Sequence, residues 1–141
     1  MAHATGVGVL CGRPFGGVAA LIKDSMTSFT ITVFGEDRFC VIKISDLLLG
    51  NVYLPCVGAP DRSIICNSTL LDNCSYWELY PDCECLITGD FNVNLAVSSD
   101  ISASVHNFIQ SRDLCRCDSV FNKNVFIYVN DALNHQSIID L

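Results

Sequence analysis

Positive charge is the scarcest property of this chain: Lys and Arg number 8 among 141 residues against 15 Asp and Glu, for a net charge of −7 and a pI near 4.6. A protein that grips phosphate backbones by electrostatics alone normally carries a basic stripe, so the balance argues against autonomous nucleic-acid binding. Charge of either sign is thin, at 16% of residues, while half are hydrophobic, which excludes a disordered chain and points to a core-forming one. Long apolar runs are missing as well. Each candidate is cut by Gly, Pro or charge within a few residues, short of the ~20 residues that a membrane-spanning helix needs. The opening "MAHATGVGVLCGRPFGG" has no basic leader and no continuous apolar stretch, so secretion is not expected. No linker, internal repeat or low-complexity tract divides the chain, whose length suits one domain or part of one.

Cysteine, by contrast, is abundant, but its count of nine is odd. Without an export signal these residues read as reduced thiols packing as small hydrophobes in an intracellular protein, cytoplasmic or nuclear. The sequons at Asn67 and Asn73 then carry little meaning. Cys83-x-Cys85 and Cys115-x-Cys117 offer a four-thiol set for a zinc-bound structural domain, although structural zinc usually takes wider gaps. The three histidines, His3, His106 and His135, read as surface residues, the last in a loop before a final strand. "GVGVLCG" is not a dinucleotide fingerprint, because Cys11 stands at the third glycine position and no strand precedes it.

Short β-rich runs bounded by Gly, Pro, Asp or Asn predict strands over 17–22, 29–34, Phe39–Ile44, Leu47–Tyr53, 85–88 and 125–129. Two stretches repeat at helical spacing instead: Cys66, Leu70, Cys74 and Trp77 on one arc, and Ile101, Val105, Phe108 and Ile109 on another. Asp61 or Ser63 suits the N-cap of the first helix, Ser99 or Asp100 that of the second, and Pro81 closes the first. The order is four strands, helix, strand, helix, strand. It predicts an α/β fold with early antiparallel hairpins and helices packed outside.

Several residues then stand out for their chemistry. In "LITGDFN" an extended backbone would put the side chains of Asp90 and Asn92 on one side, beyond the end of a strand. A carboxylate there can take a proton from water, and an amide beside it can donate to a phosphate oxygen. The plain alternative is a Gly-Asp-x-Asn turn held by Asx hydrogen bonds. In "NVYLPC", Tyr53 presents a neutral phenol at a strand end that Pro55 stops, which suits either a phosphate contact or an amphipathic rim position. In "SIIDL", Asp140 lies within an apolar run and needs a partner to offset its desolvation.

Taken in order, "GRPFGGVAALI", "NVYLPC", "LITGDFN" and "YVNDALNHQSIID" resemble the endonuclease/exonuclease/phosphatase superfamily with the DNase I-like fold. More narrowly, they resemble the apurinic-endonuclease-like domain of non-LTR (LINE-type) retrotransposons. The resemblance covers nearly the whole chain. It implies two packed β-sheets flanked by helices, a four-layer sandwich, and a hydrolase that cuts phosphodiesters of DNA with Mg²⁺. It also implies site roles: Tyr53 contacts the scissile phosphate, Asp90 orients or deprotonates the attacking water, Asn92 steadies phosphate and nucleophile, and Asp140 supports a catalytic histidine.

Departures from that pattern are equally specific. The family's metal-binding Glu and an active-site Asn lie upstream of the "GG" strand, whereas residues 1–15 hold no Asp, Glu or Asn. The "Asp-His" pair that follows the "S-x-I-D" strand has no counterpart, since Leu141 is the last residue. The chain therefore reads as a single partial domain, residues 1–141, truncated at both ends and catalytically impaired as encoded. An alternative is a non-catalytic remnant or interaction module that keeps the fold. Unpaired sheet edges would favour self-association in either case.

Overall fold

The structure, a computed structural model, describes residues 17–117, 128–130 and 135–137. Its elements alternate between strand and helix as an α/β protein. A 3-10 helical turn, Asp24–Phe29, leads into β1 (Thr30–Gly35), β2 (Phe39–Ile44) and β3 (Leu47–Tyr53). Then come α1 (Arg62–Glu78), β4 (Glu84–Asp90), α2 (Asp100–Ser111) and two short strands, β5 (Tyr128–Asn130) and β6 (His135–Ser137). The first four strands form one mixed sheet in the order β1-β2-β3-β4. Antiparallel hairpins join β1, β2 and β3, while β4 lies parallel to β3 with α1 as the crossover. β5 and β6 pair antiparallel as a separate two-stranded sheet.

Side-chain alternation explains why this sheet has two different faces. Along β3, Leu48, Gly50 and Val52 are buried, while Leu47, Leu49, Asn51 and Tyr53 are half-buried. The buried set joins Phe39 and Val41 of β2 in packing against Cys66, Leu70, Cys74 and Trp77 of α1 and Ile101, Val105 and Phe108 of α2. Both helical arcs predicted from spacing are thus the core-facing arcs. Gly50 makes the close packing possible, because a Cβ there would come within 2.8 Å of the buried Asn73 Oδ1 and 3.9 Å of Trp77 Nε1. Trp77 and Phe108 rings at 5.7 Å, and Arg112 donating to both Glu78 (2.8 Å) and Cys74 Sγ (3.2 Å), tie α2 to α1.

Several local expectations need correction. Residues 17–22 form no strand: the segment is irregular, Leu21 is fully exposed, and one bond, from Asn51 Nδ2 to the Ala19 carbonyl at 3.2 Å, links it to β3. A strand requires a backbone ladder, and apolar content alone does not supply one. Asp61 does occupy the N-cap of α1, but with φ 53° its side chain makes no capping bond. The left-handed backbone is not the extended geometry from which a cap reaches back to the helix. Ser63 lies inside the helix. Ser99 instead caps α2 as expected, in a reciprocal box with Ser102. His135 lies in β6 rather than in a loop. Among the described residues no helix is long and apolar enough to cross a membrane.

Candidate active site

The sheet register brings Tyr53 and Asp90 together. They are paired as the last residues of the parallel strands β3 and β4, so both lie on the face opposite the helices. In open α/β sheets such carboxyl ends of parallel strands are where ligands bind, since the chain leaves the sheet there and its loops can diverge. The ladder continues one step further, with the Leu54 N–H donating to the Asp90 carbonyl at 2.8 Å.

Gly89 is what lets the two strands end so close together. Its φ of 133° is reserved for glycine, and a Cβ there would lie 1.9 Å from the Val52 carbonyl oxygen. No other side chain fits between β4 and β3 at this point. After Phe91, which is buried in the core, the chain turns at Asn92 with φ 49°. This left-handed turn replaces the extended Asp90-x-Asn92 path expected from the sequence. Asn tolerates it better than most residues.

The turn nevertheless keeps Asp90 and Asn92 adjacent. Asp90 Oδ1 accepts from the Asn92 N–H at 3.0 Å, an Asx turn, and Asn92 Nδ2 donates to the Leu54 carbonyl at 2.9 Å. One side chain thereby stitches the loop after β4 to the loop after β3. Arg62, at the first turn of α1, adds a second stitch: Nε donates to the Pro55 carbonyl at 2.8 Å and Nη2 to the Asn92 carbonyl at 2.5 Å. A planar guanidinium suits this task because its donors are fixed in one fork.

Arg38 completes the surroundings on the other side of Tyr53. Its carbonyl accepts the Tyr53 N–H at 2.7 Å, and its guanidinium carbon sits 5.5 Å from the centre of the Tyr53 ring. Arg38 and Arg62 both act on the fully buried Cys66 thiol, whose pKa burial pushes up and the two cations pull back. Neither arginine emerges from motif reading. Arg38 falls in the turn between two strands and Arg62 beside a presumed cap; the one sequence signal was their rarity as cations in an acidic chain.

Of the four predicted site residues, Tyr53, Asp90 and Asn92 converge, and Asp140 lies outside the described residues, as does His3. His106 is exposed on α2, its Nε2 3.3 Å from the Leu95 carbonyl. The Cys83, Cys85, Cys115 and Cys117 thiols do not assemble a zinc centre: among the described residues no three His, Cys, Asp or Glu side chains are grouped to share a metal. The same observation bears on Mg²⁺. One carboxylate and one amide fall short of the octahedral oxygen set that the ion prefers, so the described residues alone do not fit it.

A comparison with models of known families finds no match, and a comparison with curated proteins finds none either.

Proposed function

We propose that the chain is part of a retrotransposon-type DNA endonuclease domain of the DNase I-like sandwich class, a phosphodiesterase in which Tyr53, Asp90 and Asn92 form the core of the site. The observation that carries this reading is the pairing of Tyr53 with Asp90 at the carboxyl ends of adjacent parallel strands, with Asn92 bonded to Asp90. Tyr53 and Asp90, distant in sequence and brought together by strand register, are residues that the ordered motifs single out. A phenol hydroxyl can donate to a phosphate oxygen, a carboxylate can accept a proton from attacking water, and the Asn92 amide keeps a second N–H beyond the one given to Leu54.

The sandwich, the DNA substrate and the Mg²⁺ dependence rest on the motif resemblance. Residues 1–15 offer no metal-binding Glu, and a Mg²⁺ affinity weaker than about millimolar is expected of these 141 residues. Catalysis should accordingly be slow.

A second reading has its own observation. Asp90 and Asn92 are both engaged in holding the loops, as the Asx-turn alternative requires, and a non-catalytic binding module would keep them for that purpose alone. Incubation with supercoiled plasmid DNA, with Mg²⁺ or EDTA, separates the two. Slow Mg²⁺-dependent nicking that Asp90→Ala and Asn92→Ala both abolish is the expected result. Nicking that survives both substitutions, or no nicking from folded protein supplied with the family's upstream Glu segment and downstream Asp-His segment from an intact relative, overturns the endonuclease reading and leaves the binding module.

A further inference from the structure

Three adjacent strands end in a row of chemically distinct groups, and one of them has no assigned task. β2 runs antiparallel to β3, so its start lies beside the end of β3: Phe39 pairs with Val52, and the Tyr53 N–H to Arg38 carbonyl bond extends that ladder by one residue. Asp90 flanks Tyr53 on the other side. The lateral order at this sheet end is therefore Arg38, Tyr53, Asp90.

The guanidinium of Arg38 is held but not consumed. Among the described residues it makes neither a hydrogen bond nor an ion pair, and its contact is with the face of the Tyr53 ring. Arg112 is bound to Glu78 and Cys74, Arg62 to two carbonyls, and Arg116 also has a partner. Glu36, Asp37 and Asp72 line the same open cavity as Arg38 and would repel an anion from that direction.

We propose that Arg38 binds a DNA phosphate adjacent to the one facing Tyr53 and Asp90, an inference that rests on the phosphodiesterase reading. Its place over the tyrosine ring, 5.5 Å from the ring centre, restricts the guanidinium, whose N–H donors can meet two phosphate oxygens at once. In a chain of net charge −7 no long-range field gathers DNA, so a local, oriented cation has a large share of whatever binding occurs.

The test is fluorescence anisotropy of a labelled DNA duplex with the whole chain over a range of NaCl concentrations, comparing the protein with Arg38→Gln and Arg38→Lys. Gln should weaken binding roughly tenfold for every duplex sequence and reduce the slope of log K against log salt by about one. Lys should restore most of the slope but only part of the affinity, because it keeps the charge and loses the planar fork. Equal binding and equal slope for all three proteins would overturn the role of Arg38 and leave the wider reading standing. If the unsubstituted protein binds no duplex, the phosphodiesterase reading itself fails and the Arg38 proposal falls with it. Should one variant fail to fold, the other still decides, since each removes the planar fork.

Discussion

Gly89 of β4 lies so close to Val52 of β3 that a Cβ on the glycine would sit 1.9 Å from the valine carbonyl oxygen and 2.7 Å from its nitrogen. Both atoms belong to backbone, which cannot swing aside as a side chain can. Gly89→Ala should therefore destabilise by at least ~3 kcal/mol, read as a lower urea midpoint. Gly50→Ala is the control. Its clash is with the Asn73 side chain, which can rotate, so a smaller loss is expected there.

Asn92 combines a left-handed backbone with a side-chain bond to Leu54, and substitution can separate the two. Asn92→Gly keeps the backbone freedom and loses the bond; Asn92→Ala loses both. Thermal unfolding should place Ala below Gly by about 1 kcal/mol. The reverse order would mean that the turn at residue 92 is not strained.

Arg62 donates to the Pro55 and Asn92 carbonyls and so couples the loops that follow β3 and β4. Arg62→Ala should cost roughly 2 kcal/mol, discounted for its partial exposure. Arg62→Lys should recover less than half, because an ammonium cannot reproduce the fork geometry. Amide exchange measured by NMR should speed up at Asn92 and Leu54 in both variants, and unchanged protection at those amides would argue against the coupling.

The eight described cysteines are free, and burial raises the pKa of Cys40, Cys66 and Cys85 above the ordinary thiol value. For Cys85, the neighbouring Cys83 and Glu84 add to the rise. A raised folded-state pKa means that unfolding releases protons once the unfolded thiols titrate. Stability from these groups is complete below the unfolded thiol range, near 8.5, and is lost as pH rises through the higher folded values. Melting temperature should fall as pH rises above the ordinary thiol range, and a Cys40→Ala, Cys66→Ala, Cys85→Ala protein should lose most of that slope. In native protein, exposed Cys56, Cys115 and Cys117 should react with a disulfide reagent well before Cys66.

β1 is an outer strand of the four-stranded sheet, its sequence TITVFG carries no charge, and Ile31 on it is 61% exposed. Uncharged edges invite pairing between copies. Sedimentation velocity should show concentration-dependent association that Ile31→Lys suppresses, with little change in stability. A monomer at all concentrations would remove the edge argument.

Much of the architecture was legible in the residues themselves. The period-two runs at Phe39–Ile44 and Leu47–Tyr53 and the helical arcs through Cys66 and Val105 report local burial, which a single element expresses in its own sequence. Ser99 announced its cap for the same reason. Tyr53, Asp90 and Asn92 could be named from motifs, but their meeting could not be derived from spacing. It depends on β4 lying parallel to β3 in one register, where a slip of one residue would send Asp90 to the opposite face. Residues 17–22 failed as a strand because pairing needs a neighbour, a property that no apolar run contains. Arg38 and Arg62 were invisible as site residues because nothing local marks a cation that will reach a tyrosine ring 15 positions on or a carbonyl 30 positions away. Composition and periodicity determine which surfaces of each element must be buried; the register and the crossover through α1 decided which polar groups share the end of the sheet.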